Sequence, residues 1–287
     1  MNESIKHLRK LDRCGYSTDG AWMAEPTALA CLALAAHDEL DTATRFANQL
    51  SDAQLDNGAV SANNEQDSPA WTTSLAILAW LACDQEMFQT NIDSALDWAL
   101  ATHGRTQERI TQIGHDTTIL GWSWAAETHA WMEPTSMFVI ALKAAGLGDH
   151  ARVREGVRLV TDRLLPDGGS NYGSTFVLGQ PTLPQVESTG LALLALSEEA
   201  NTDPRIERSL RYLEENLSAK TTTASLCYGL FGLTAHDRRP ALASDWIAAA
   251  SYREIIRGPS AYKLALLALA SIPDLSWIPN RLELAPL

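Results

Sequence analysis

Two stretches, WMAEPTALACLALAA (Trp22–Ala36) and SPAWTTSLAILAWLA (Ser68–Ala82), decide the fold. Each has Ser or Thr, with Pro just before, near the start of a nearly continuous apolar run, a pattern that favours a helix start. A helix apolar on nearly every side must be buried. The pattern returns as WMEPTSMFVIALKAAG (Trp131–Gly146) and QVESTGLALLALSEEA (Gln185–Ala200). Weaker copies are TTASLCYGLFGLTA (Thr222–Ala235) and GPSAYKLALLALAS (Gly258–Ser271).

Between these runs lie amphipathic segments with apolar residues at helical spacing, as in IERSLRYLEENL. They cover roughly Glu3–Arg13, Thr42–Ala53, Phe88–Thr102, His150–Leu164, Pro204–Leu217 and Ala241–Ile256. STFVL near Ser174 is ambiguous between strand and loop. Repeated helix pairs stack into one continuous core. The expectation is therefore an all-α (α/α)6 toroid, one domain over residues 1–287, with the apolar helices inside and the amphipathic ones outside. Ring closure is inferred from how completely apolar the inner set is.

The connections are asymmetric. Inner-to-outer links such as AHDELD (Ala36–Asp41) are short. Outer-to-inner links are long: Leu55–Pro69, Pro166–Gln185 and, longest, His103–Trp131. Long loops rich in Trp, Tyr, Gly and His point to function. All of them reach the N-termini of the inner helices, where unpaired N–H groups steady negative charge. The expected site is the mouth of the barrel at that face.

Glu25, Glu133 and Glu187 share one repeat position there. A carboxylate in a first turn serves the helix dipole. Several converging, partly buried ones make a general acid/base site. Asp116 and His129 in the longest loop are further acid/base candidates, and His115, Trp22, Trp71, Trp122, Trp124, Trp131 and Tyr172 are candidate ligand-binding residues. The aromatic faces suit either a cation or an apolar ligand, or serve only to pack loops. No HExxH or similar spacing occurs, so neither a metal nor a cofactor is expected.

A formal net charge of −13 argues against nucleic-acid binding. The N-terminal stretch lacks the apolar core of a signal peptide, and no apolar run is long enough to span a membrane. The four cysteines are scattered and read as reduced thiols. The expectation is a cytoplasmic protein without a transmembrane segment.

Three motifs resemble the terpene cyclase and protein prenyltransferase superfamily. AQLDNGAV (Ala53–Val60) is similar to its QW repeat, with Gln54 and Gly58 in place and Val60 where Trp stands. TDGAW (Thr18–Trp22) and PDGGSNYG (Pro166–Gly173) resemble its Asp-Gly turns. EPTALACLAL and ESTGLALLAL resemble its inner helices. The resemblance implies acid-initiated conversion of an isoprenoid or other apolar small molecule in a Trp-lined cavity. The departures are specific. Where those cyclases carry DxDD, this chain has WMEP, with only Glu133 acidic. Ser225 stands where a prenyltransferase has its zinc-binding His. Two other readings stay open: a non-catalytic toroid binding a lipid or protein partner, and a carbohydrate-active α/α-barrel enzyme, since paired carboxylates and Trp platforms also suit sugars.

Overall fold

The computed structural model describes residues 3–109, 113–177, 179–200 and 203–281. Among these it contains twelve helices and one small hairpin. The outer helices are α1 (Glu3–Leu8), α3 (Leu40–Asp52), α5 (Gln89–Ala101), α7 (Ala151–Asp162), α9 (Pro204–Asn216) and α11 (Ala243–Arg257). The inner ones are α2 (Ala24–Ala35), α4 (Thr73–Cys83), α6 (Met132–Ala144), α8 (Val186–Leu196), α10 (Thr223–Thr234) and α12 (Ala261–Ala270). Each inner helix packs on the next, and α12 packs on α2. The ring is closed, so the fold is the α/α toroid. Within STFVL, whose Leu178 lies outside the described residues, β1 (Phe176–Val177) pairs antiparallel with β2 (Gln180–Pro181). The first amphipathic segment forms a helix only to Leu8, because the chain must turn for the Cys14 carbonyl to meet the Met23 amide at 2.9 Å.

Of the expected Ser/Thr caps, Ser260 does cap α12, accepting from the Lys263 amide at 3.3 Å, while other inner helices start differently. The residues before α2, α6 and α8 are Met23, Trp131 and Gln185, and none caps with its side chain. The threonines lie inside the helices and fasten the loops instead. Thr73 accepts the Val60 amide at 2.8 Å, Thr135 the Trp122 amide at 3.0 Å and Thr189 the Ser170 amide at 2.9 Å. In each of these three repeats one hydroxyl thus satisfies a buried loop amide that water cannot reach.

The barrel is filled. Leu29, Leu75, Met137, Leu191, Tyr228 and Leu266 form one inward layer, with Phe231 and Trp277 beneath it. The void left among them is about 30 Å3. Trp277 comes from the segment after α12, which crosses the C-terminal end of the barrel. There Asn280 bonds the Ala144 carbonyl at 2.7 Å and Arg281 bonds Ser197 at 2.7 Å. The expected Trp-lined cavity is therefore absent from the barrel interior: the space holds no more than about one water, far below a ligand pocket.

Helices α8 and α10 approach most closely at Gly190 and Gly232. A Cβ on Gly190 would sit 2.2 Å from the Tyr228 carbonyl oxygen, and one on Gly232 would sit 2.6 Å from the Gly190 oxygen. These neighbours are backbone and cannot swing aside. Gly190→Ala is expected to cost about 1–3 kcal/mol through overpacking. That outweighs the helix-propensity gain of about 1 kcal/mol. Urea denaturation checks this; an unchanged midpoint would mean the helices are not in contact there.

The cysteines differ sharply. Cys14, Cys31 and Cys227 are buried. Burial pushes the Cys14 thiol up to about 12. Cys83 is half-buried, and hydrogen bonding from Cys31, with Thr44 at 3.3 Å, pulls it down to about 7. The thiolate is the reactive form. Iodoacetamide should therefore label Cys83 first in the folded protein, with a rate that rises through pH 7, and mass spectrometry identifies the site.

Candidate active site at the barrel mouth

Glu25, Glu133 and Glu187 are the second residues of α2, α6 and α8. Four residues further on, Leu29, Met137 and Leu191 line the barrel interior. Positions i and i+4 share a helix face, so the glutamates face the barrel axis one turn above the apolar plug. The same register sets Ala224 above Tyr228 and Tyr262 above Leu266, while Trp71 stands in the turn two residues before α4. Around the mouth the order is Glu25, Trp71, Glu133, Glu187, Ala224, Tyr262. Glu25 and Glu187 come from opposite helices, with Glu133 between them on one side.

The three carboxylates feel one another. Glu25 is 7% exposed, and burial pushes it up to about 7. Repulsion from Glu187 and Glu133 adds to that, while a short hydrogen bond from the Tyr16 hydroxyl opposes it. Glu187 is also raised to about 7, first by burial and then by Glu133, against a hydrogen bond from Ser225. Burial raises Glu133 too, and Ser188, donating at 2.6 Å, opposes the rise. Two like charges in a partly dry site resist joint ionisation, so the group holds protons near neutral pH. Tyr16 meets Tyr262 edge-on at 5.3 Å. The phenols of Tyr16, Tyr228 and Tyr262 are all raised, by burial first and then by neighbours that include Glu25. Tyr16, Tyr228, Tyr262 and Ser188 are site residues that sequence reasoning passed over. Only Tyr262 carried a signal, its register with the glutamates.

Asp116 and His129 are placed in the long loop, not with the glutamates. Asp116 shapes a turn by accepting from the Thr118 amide at 2.9 Å, and the Thr118 hydroxyl bond holds its carboxyl below the usual range. His129 lies against Trp131, ring centres 4.4 Å apart. Trp131 and Trp124 line an open hollow of about 490 Å3 beside the mouth. His115 and His129 line a second hollow of about 260 Å3. Trp71 packs edge-on against Trp124 at 4.7 Å.

Three aromatic candidates have other surroundings. Trp122 is 1% exposed, stacked on Phe138 at 5.1 Å and under the Arg152 guanidinium at 3.8 Å. Its indole N–H donates to the Ala99 carbonyl at 2.9 Å, so it packs a loop and meets no ligand. Trp22 reaches outward to Gln49 of α3 at 3.2 Å. The Tyr172 ring is exposed, while its carbonyl accepts from the Met132 amide at 2.9 Å. Gln54, of the QW-like motif, ties its turn to the Gly58 and Asn91 carbonyls, both at 2.9 Å.

Among the described residues no group of three or more His, Cys, Asp or Glu is placed to hold a metal ion. No described helix is long and apolar enough to cross a membrane.

No family model matches the chain, and no curated protein matches it. Solved structures do. A protein from Actinoplanes is 14% identical with a TM-score of 0.61, covering 94% of this chain and 98% of that one. The endoglucanase Cel10 from Klebsiella pneumoniae, a family 8 glycosyl hydrolase, is 12% identical with a TM-score of 0.58, covering 94% and 98%. An alpha-amylase from Clostridium perfringens is 10% identical with a TM-score of 0.58, covering 92% and 90%. At such identities the likeness is one of fold. It supports the α/α toroid and lends nothing to the resemblance with terpene cyclases.

Proposed function

We propose that the chain is a carbohydrate-cleaving α/α-barrel enzyme whose acid and base come from the glutamates at the mouth. The observation that carries this reading is the mouth layer itself: Glu25, Glu133 and Glu187 around one opening, with Trp71 and Tyr262 between them. Glycosidic cleavage needs one protonated and one ionised carboxyl. Glu187, raised to about 7 and half-buried, is protonated in a substantial fraction of molecules at neutral pH, and that form gives its proton to the leaving oxygen. Glu133, held by Ser188, takes the proton of the attacking water. Glu25, the most buried of the three, sets the charge of the group. The aromatic faces of Trp71, Trp124 and Trp131 offer platforms for sugar rings. Descriptions of similar folds as an endoglucanase and an alpha-amylase support the substrate class.

The isoprenoid reading loses its chamber, since the barrel holds only about 30 Å3 of void. The test is direct. The purified protein is incubated with soluble β-glucan, xylan, starch and acidic polysaccharides, and new reducing ends are measured. Release from at least one substrate is expected. A folded protein that releases nothing from any of them would favour the non-catalytic toroid.

A further inference from the structure

The smaller loop hollow has a character of its own. Its lining includes Arg105, Arg163, His115 and His129, and no aspartate or glutamate, in a chain whose net charge is −13. Arg163 is 5% exposed and fixed in place, donating to the Gly173 carbonyl at 2.7 Å. Asp162, 3.4 Å away, offsets part of its charge. Arg105 is exposed and forms no ion pair among the described residues. Ile119 and Phe176 give the hollow an apolar wall. Burial, and after it Arg163, keeps both imidazoles below their ordinary range, so each can gain a proton when an anion arrives. The two hollows are neighbours, sharing Arg105, Gln107 and His129 in their walls. Trp131 also lines the larger hollow, with its ring 4.4 Å from that of His129, and stands two residues before Glu133.

We propose that this hollow is a subsite for the anionic group of an acidic saccharide, a uronate carboxylate or a sugar phosphate. The inference rests on the carbohydrate reading and names its substrate class. Guanidinium forks pair with carboxylate and phosphate alike. The wall shared at His129, whose ring meets Trp131 at 4.4 Å, sets this subsite next to the Trp131 platform on the Glu133 side of the mouth.

The test uses the full chain. Imidazole NMR signals of His115 and His129 are followed during titration with glucuronic acid, glucose 6-phosphate, inorganic phosphate and glucose at constant pH and ionic strength. One or both anionic sugars should saturate at a Kd at least about tenfold below that of glucose, and Arg105→Gln should erase about that factor. Comparing the two sugars separates uronate from phosphate ester. Equal response to glucose, inorganic phosphate binding as tightly as either sugar, or an unaffected Arg105→Gln variant overturns the proposal. Anionic sugar binding in a protein that cleaves no glycan supports it while the acid/base reading fails. Cleavage of neutral glycans with silent histidines overturns it and leaves that reading intact.

Discussion

Glu187→Gln is expected to lower glycan turnover by about 10^2 to 10^4-fold, the usual worth of a positioned general acid. Gln keeps the size and the hydrogen bond with Ser225 but has no proton to give. The pH profile makes the test specific. With Glu187 raised to about 7, wild-type activity should fall on the alkaline side as that proton is lost. The alkaline limb should vanish in the residual activity of Glu187→Gln. Ser225 supplies the hydrogen bond that pulls Glu187 down, so Ser225→Ala should move the limb to higher pH while leaving kcat measurable. Glu133→Gln removes the base and should cost a similar factor through the acidic limb. An E187Q enzyme within threefold of wild type would remove Glu187 from the chemistry.

The fold was legible because its signal is large. Six runs apolar on nearly every side, two of them weaker copies, separated by segments charged on one face, leave few packings other than stacked pairs. Closure was not written in any one run; it depends on α12 finding α2 across the whole chain. The filled barrel was hidden for a related reason. Its volume depends on which way Leu29, Met137 and Leu191 point, and on Trp277 entering from a tail with no repeat pattern. The glutamates were legible as a set because the repeat carries them at one register. Their partner Tyr16 was not, because it lies in an irregular loop with no register to place it. Trp122 misled because a Trp in a rich loop suits binding and packing equally; the Arg152 and Phe138 contacts decide for packing. Thr73, Thr135 and Thr189 misled in a subtler way. Their hydroxyls do satisfy orphan amides, but of the loops and not of their own helices.

Glu25→Gln should stabilise the protein, and only at neutral to alkaline pH. The Glu25 carboxyl titrates near 7 in the folded chain against 4.5 for an ordinary glutamate. Below pH 4.5 it is protonated in both states and costs nothing. Between 4.5 and 7 the folded state holds the proton that the unfolded state releases, so stability falls as pH rises. Above 7 the full cost is present, on the order of 3.5 kcal/mol for a carboxyl moved from 4.5 to about 7. Gln carries no charge and can still accept from Tyr16, so most of that cost should disappear. Thermal melts of both proteins at pH 4.5 and pH 8.5 check this. The difference should be small at the lower pH and favour the variant by several degrees at the higher. A variant that melts lower at pH 8.5 would mean that Tyr16 holds Glu25 ionised at no cost. Because Glu187 contributes to the shift, Glu187→Gln alone should recover part of the same stability, and the double variant should gain less than the sum. Three carboxylates whose ionisation is disfavoured by burial stand at equivalent positions around one opening. The stability given up there is consistent with a site built for proton transfer.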